Sequence, residues 1–251
     1  MPKSLACNDT LELLYNGKII MLITCIIPFF NERDRILEVL DEVVKVKAIN
    51  QILLVDDGST DGSAKQVKEK YPKLTILHNK KNLGKTEAVK VGLNQAKGTH
   101  ILLLDADLQE FKYKEIEKGI NAIKKNTSID MIIFNRIKSP FIVRVSRGAI
   151  LTCGQRILKK EDFLQTLSLY KPKGYELEFA LNQYMMDEQK KVYWLPISAI
   201  NTKSTKKRGF NKGTQKIIRM HIEIFGYLGL YNALKEFLFF CKEEYKIASN
   251  N

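Results

Sequence analysis

Over its first 110 residues the chain alternates apolar runs of strand length with stretches whose apolar positions recur at helical spacing. Ile19 to Ile27 is apolar and β-branched and stops at Pro28, which predicts a first strand. A loop through Phe29-Phe30-Asn31-Glu32-Arg33 then feeds a helix over 36–46, with Ile36, Leu37, Leu40, Val43 and Val44 on one side. Asn31 is the expected N-cap, and Glu32 suits the first turn. Gln51 to Val55 reads as a second buried strand, 64–71 as a helix, Leu74 to His78 as a third strand, and 86–97 as a helix with Ala88, Val89 and Leu93 inward. Ile101 to Leu104 completes the series. Strands alternating with helices predict a parallel sheet covered by helices on both faces.

Beyond residue 110 the pattern loosens. Ile116, Ile120 and Ile123 mark a helix over 111–125, Asp130 to Asn135 a strand, and Val192 to Ile197 a last strand. Residues 201–213 are basic and contain glycine, either a loop able to close over a ligand or a solvated linker. Ile217 to Tyr245 is rich in Ile, Leu and Phe, which predicts a helical pair packed on the domain or on a second subunit. A sharper reading is an amphipathic element lying on a membrane. Residues 1–20 carry no clear pattern and are expected to be an N-terminal extension, followed by one α/β domain over 21–213 and a helical C-terminal extension over 214–251.

Composition narrows the partners. The 251 residues are 45% apolar and 27% charged, an ordinary globular balance. Lys and Arg number 41 against 28 Asp and Glu, for a formal net charge of +13. Such an excess favours polyanionic partners, although many of the lysines fall singly on helix surfaces. The four cysteines are far apart with no metal-ligand spacing, which fits a reducing compartment. No apolar run approaches the roughly 20 residues of a membrane span, and the first residues lack the apolar core of a signal peptide. The expected location is the cytoplasm, with peripheral contact at the cytoplasmic face of a membrane left open.

The chemistry sits at the strand exits. Ile101-Leu102-Leu103-Leu104 runs into Asp105-Ala106-Asp107-Leu108-Gln109, so two carboxylates arrive where open α/β sheets gather ligands. Two apart on an extended chain, Asp105 and Asp107 would share a face, and two hard oxygen donors suit Mg²⁺ or Mn²⁺. The second strand ends in Asp56-Asp57-Gly58-Ser59-Thr60-Asp61-Gly62-Ser63, where a fixed carboxylate can accept hydrogen bonds from a base or ribose. After the third strand, Gly84 permits an unusual backbone angle and Lys85 offers a point charge for a phosphate.

PFFNE, VDDGSTDGS, NKKNLGKTEAVKVGLNQAKG and ILLLDADLQ, in this order, resemble the nucleotide-binding half of family 2 glycosyltransferases of the GT-A fold. DADLQ is most similar to the polyprenyl-phosphate sugar transferases. The resemblance implies inverting transfer from a nucleotide-diphosphate sugar, with a divalent metal between the Asp pair and the diphosphate. By position, Pro28, Asn31, Glu32, Asp56 and Asp57 would hold the nucleoside, Lys85 would lie near the phosphates, and Asp105, Asp107 and Gln109 would lie at the metal. Gly148 to Leu158 resembles the acceptor-side segment of the family, a small-residue turn followed by Arg156 and a helix carrying Lys159, Glu161 and Asp162.

Transfer to a hydroxyl needs a general base within reach. Glu178 is the first candidate, in a segment similar to the family's acid-bearing helix, followed by Glu176 and Asp162. A lipid-phosphate acceptor, already ionised, needs none. Arg136, Lys138, Arg144, Arg147, Arg156, Lys159 and Lys160 are either a solvated surface or a clamp for an anionic acceptor. The expected partners are a nucleotide-sugar donor and a lipid-phosphate or glycan acceptor, with no nucleic acid, and a homodimer is open. Two other classes remain: a nucleotidyltransferase, against which stands the lack of a glycine-rich loop after the first strand, and a non-catalytic basic protein of the same fold.

Overall fold

The structure, a computed structural model, describes residues 14–15, 18–19, 21–137, 148–201, 226–227, 229 and 231–246. Within the expected N-terminal extension, β1 (Leu14–Tyr15) and β2 (Lys18–Ile19) form a short antiparallel ladder. The body begins with β3 (Ile23–Phe29), β4 (Gln51–Asp56), β5 (Thr75–His78) and β6 (His100–Leu103). Between them run α1 (Ile36–Val43), α2 (Ser63–Lys70) and α3 (Lys85–Gln95). These four strands pair in parallel in the order β6-β3-β4-β5.

The second half adds β7 (Leu108–Gln109), α4 (Tyr113–Lys125), β8 (Met131–Arg136), α5 (Gly148–Leu151) and β9 (Arg156–Lys159). It continues with α6 (Lys160–Tyr170), α7 (Leu177–Asp187), β10 (Val192–Ile197) and β11 (Ile200–Asn201). Among the described residues the main sheet has seven strands in the order β10-β8-β9-β6-β3-β4-β5, and β9 is antiparallel to both its neighbours. A separate two-strand ladder joins β11 to β7.

The strands read as unbroken apolar runs because both of their faces are buried. Along β3, Ile23, Cys25 and Ile27 face the core beneath α1, α2 and α4, while Ile26 faces the core beneath α3 and α7. The same alternation divides Leu102 from Leu103 and Ile132 from Ile133.

Three local expectations change. Pro28 does not stop the first strand; it pairs with Val55 inside β3. Ile26 accepts from Leu104 N–H on the β6 side, so Pro28, two residues on, turns its donorless nitrogen to that side, beyond the end of β6. Asn31 is not the N-cap of α1, which begins after Arg35 with no side-chain cap. The segment around Arg156, expected to lead into a helix holding Lys159, is instead a strand, with Ile157 and Leu158 pointing to opposite cores, and the helix starts at Lys160. Lys138, Arg144, Arg147 and residues 202–213 lie outside the described residues.

Residues 231–239 are helical, and Phe240 and Cys241 enter the core beneath α7. The chain then covers the β10 edge: Trp194 N–H donates to Glu243 O at 3.1 Å, and Tyr245 N–H donates to Trp194 O at 2.9 Å. An edge strand paired in this way no longer presents free backbone groups there.

Phe134 is fully buried in β8, against a glycine of α4, Gly119, where any Cβ would overlap its ring. Phe134→Ala is expected to lower unfolding stability by about 3–5 kcal/mol, measured by urea denaturation.

Candidate active site

Parallel strands deliver their C-terminal ends to one edge, and the chemistry-bearing residues follow those ends. Asn31 and Glu32 follow β3, Asp56 ends β4 and Asp57 follows it, His78 ends β5, and Asp105 follows β6. Because β9 is antiparallel to β6, with Arg156 paired to Leu103, its entry Cys153-Gly154-Gln155 begins at the same edge.

Lys85, the first residue of α3, stands at the centre. Its Nζ donates to Asp105 Oδ1 at 2.6 Å and to Glu178 Oε1, from the first turn of α7, at 2.7 Å. Burial alone would lower the Lys85 pKa, but the charges of Asp105 and Glu178 overcome it and hold the ammonium well above the ordinary lysine value. Burial would likewise raise the Asp105 pKa. The Lys85 ammonium, with help from Arg136 and the Gln155 amide, holds that carboxyl below its usual value instead. Gln155 Nε2 donates to the other Asp105 oxygen. Gly154 lets this chain come close: a Cβ there would lie 2.8 Å from both Asp105 oxygens and would collide with Lys85 Nζ.

Asp57 is buried and secures the loop ahead of Lys85. Its carboxylate accepts from Asn79 Nδ2 at 2.8 Å, Leu83 N–H at 3.0 Å and Gly84 N–H at 2.8 Å. Gly84, at φ +94°, takes a backbone angle that suits glycine, and from it α3 starts. Asp56 accepts from Ser59 N–H at 2.9 Å and lies 3.1 Å from His78 Nδ1. Asn31, in the left-handed region at φ +54°, accepts from Thr60 N–H at 2.9 Å, while its own N–H donates to Ser59 Oγ at 3.0 Å. Its side chain therefore ties the β3 exit to the β4 exit. Glu32 pairs with Arg35 at 2.6 Å.

Asp107 lies in a turn with Ala106, so the chain between the two aspartates is not extended, and strand alternation does not set their relative directions. Gln109, in β7, pairs with Ile200 of β11. Among the described residues no three His, Cys, Asp or Glu side chains converge into a cage for a metal. The residues nonetheless fit a Mg²⁺ or Mn²⁺ ion that takes few protein ligands: hard carboxylates follow a strand exit, and Asp105 already holds a cation, the Lys85 ammonium.

The three candidate bases separate. Glu178 is mostly buried and bonded to Lys85. Glu176 closes the turn before α7 by accepting from Lys173 N–H at 2.7 Å. Asp162, in the first turn of α6, binds Tyr184 Oη at 3.1 Å and Lys190 Nζ at 3.0 Å, and so is not brought to the Lys85 cluster.

Arg156 is also not presented to the cleft. It is wholly buried, donating to Cys153 O at 2.9 Å, Asn182 Oδ1 at 3.0 Å and the backbone oxygen of Glu178 at 3.3 Å. Behind it, Asn182 Nδ2 donates to Glu236 Oε2 at 3.1 Å, on the C-terminal helix. Burial pushes the Glu236 carboxyl up to about 8, and its Oε1 has no hydrogen-bond partner among the described residues. Sequence reasoning missed Gln155, Asn182 and Glu236. Gln155 had one signal, the small-residue turn that contains it.

The seven-stranded order with its inserted antiparallel β9, and acids clustered at the C-terminal edge, is the frame of a GT-A glycosyltransferase. The chain belongs to glycosyl transferase family 2, whose profile matches residues 24–207. Among solved structures it is similar to glucosyl-3-phosphoglycerate synthase from Mycobacterium tuberculosis in complex with Mn²⁺, UDP-glucose and phosphoglyceric acid. The TM-score is 0.66 at 14% identity, covering 82% of this chain and 79% of that one.

Among curated relatives, it is 35% identical over 120 residues to a dolichyl-phosphate beta-glucosyltransferase of Dictyostelium discoideum, covering 41% of this chain and 37% of that one. It is 33% identical over 142 residues to the dolichol-phosphate mannosyltransferase of Pyrococcus furiosus, covering 52% and 40%. It is 36% identical over 96 residues to the undecaprenyl-phosphate 4-deoxy-4-formamido-L-arabinose transferase of Proteus mirabilis, covering 35% and 29%. The chain thus spans less than half the length of each of these relatives.

Lys85→Met strands two largely buried carboxylates. It is expected to cost about 2–3 kcal/mol by denaturant unfolding, less than breaking a wholly buried pair because Lys85 is partly exposed. A second expectation concerns Glu236. Its folded pKa lies above the usual carboxylate value, so the folded chain retains a proton that the unfolded chain releases between about pH 4.5 and 8. Stability from this group is full below that window and falls as pH rises through it. Melting temperature measured from pH 5 to 9 is expected to decline less steeply in Glu236→Gln than in the parent.

Proposed function

We propose that the chain transfers a sugar, with inversion, from a nucleotide-diphosphate sugar to a polyprenyl phosphate at the cytoplasmic face of a membrane. The observation that carries this reading is the Lys85 ammonium, held between Asp105 and Glu178 at the edge where the sheet presents its ligand-binding ends. Breaking the anomeric bond leaves charge on the departing nucleoside diphosphate. A fixed cation there stabilises the transition state more than the ground state, a contribution of several kcal/mol.

Mg²⁺ or Mn²⁺ held by Asp105 and Asp107, with Gln109 as a further ligand, would supply Lewis-acid neutralisation of the same charge. Lys85 then has two duties. It offers a proton-bearing ammonium to the diphosphate, and through its hydrogen bond it orients Glu178 beside the donor. Asn31 and Asp56 fix the loops at the nucleoside end, while Asp57 holds the backbone that leads to Lys85. Pro28 and Glu32 belong to the same exit.

The names of the similar curated proteins favour a lipid-phosphate acceptor. Its phosphate oxygen is already anionic and attacks without a base, which leaves Glu178 as an orienting group. A glycan hydroxyl would instead require Glu178 as general base.

The test is a thermal-shift screen against UDP, GDP, CDP and dTDP and their sugars, with Mn²⁺ or Mg²⁺ and again with EDTA. One base is expected to stabilise the protein by about 2.7 kcal/mol at a hundredfold excess over its dissociation constant, and chelator is expected to abolish the shift. Asp107→Asn should melt like the parent without ligand and lose the metal-dependent shift. An unchanged shift in that variant removes Asp107 from the metal, and no shift with any nucleotide removes the donor class.

A further inference from the structure

The helix over 231–239 has its polarity reversed for a surface helix. Its inward side presents Glu236, 1% exposed, and leads to Phe240, 2% exposed. Its outward side presents Tyr231 at 78%, Leu234 at 52%, Phe237 at 41% and Leu238 at 49%, and Phe239, at the C-terminal end, is 64% exposed. At 100° per residue, Tyr231, Leu234, Phe237 and Leu238 fall within an arc of about 120°. Single exposed apolar residues are normal, whereas a contiguous set marks a surface that something covers. Leu164 and Leu169 of α6 are exposed as well, and Tyr227 Oη donates to Tyr170 O at 3.1 Å, tying α6 to the chain entering this helix.

A cavity of about 580 Å³ opens at the C-terminal end of the same helix. Met185, Met186 and Phe240 line it with Phe239, and three lysines, Lys190, Lys191 and Lys242, stand against one acid, Glu243. Lys242 Nζ lies 5.3 Å from the centre of the Phe239 ring. Lys190 also binds Asp162. Cations thus border an apolar surface, the arrangement that seats an amphipathic helix among acidic headgroups.

We propose that the outer face of residues 231–239, with the lysine-rimmed cavity beside Phe239, docks the protein onto an anionic phospholipid bilayer. A second copy of the chain fits less well: a two-fold contact would bring the same lysines together, on a chain that already carries +13. The proposal rests on the lipid-acceptor reading only for its purpose, since a polyprenyl phosphate is reached at a bilayer; the surface itself stands on the geometry above.

The experiment is sedimentation of the full chain with phosphatidylcholine vesicles, with and without phosphatidylglycerol, in the absence of nucleotide and of polyprenyl phosphate. Binding is expected only with phosphatidylglycerol and is expected to weaken with salt. Leu234→Glu with Leu238→Glu should reduce it at least about tenfold, and Lys191→Glu with Lys242→Glu should reduce it as well. Both double variants alter exposed or rim positions, so their melting temperatures and nucleotide shifts should match the parent. Parent-like vesicle binding by the folded Leu variant overturns the proposal. So does a parent dimer in analytical ultracentrifugation that the Leu variant dissociates, with no vesicle binding by either. Because the vesicles hold no substrate, failure here leaves the nucleotide screen untouched, and failure of that screen leaves this surface untouched.

Discussion

The Lys85 ammonium joins Asp105, 20 residues on, to Glu178, 93 residues on, at 2.6 and 2.7 Å. Each carboxylate would be costly to bury without a cation, and the lysine would be costly to bury without them. The three elements that carry them, the start of α3, the exit of β6 and the first turn of α7, are therefore fixed relative to one another by charge as much as by packing. Other choices nearby serve that contact. Asp57 spends its carboxylate on the backbone of Leu83 and Gly84, which sets where α3 begins. Gly154 leaves room for Asp105 and Lys85 to meet, and Gln155 steadies the oxygen that Lys85 does not take.

Much of the fold up to Asp105 was legible because its strands bury both faces. Such strands appear as plain apolar runs, and each run's abrupt polar end announces the sheet edge. The pairing of Lys85 with Asp105 and Glu178 was not legible. The three residues could be named singly as candidates, but only the crossing of α7 over that edge brings them together. Asn31 shows a different limit. Its type and place suited a helix cap, yet in the left-handed conformation its side chain bonds to Thr60 across the loops instead. Local chemistry was read correctly as hydrogen bonding, while the partner was set by the parallel pairing of β3 with β4.

The second half of the fold was harder for a specific reason. Arg156 carries a charge, and a charge in a loose basic stretch suggests solvent or an anionic ligand. In the fold it is wholly buried, satisfied by the carbonyls of Cys153 and Glu178 and by Asn182. The strand it begins has four residues, too short for a period to stand out. A buried polar layer then continues from Arg156 through Asn182 to Glu236. The C-terminal helix and the segment that positions Glu178 are thus parts of one hydrogen-bonded assembly, though over fifty residues separate Asn182 from Glu236.

The closing of the β10 edge carries a practical corollary. Trp194 is the only tryptophan in the chain, and both its backbone groups bond to the strip formed by Glu243 and Tyr245. Its indole is partly buried against the core that also holds Phe240 and Cys241, the residues that lead into that strip. Intrinsic fluorescence of the unlabelled protein is therefore placed to report that strip: loss of the Phe240 and Cys241 packing would wet the indole and shift its emission to longer wavelength.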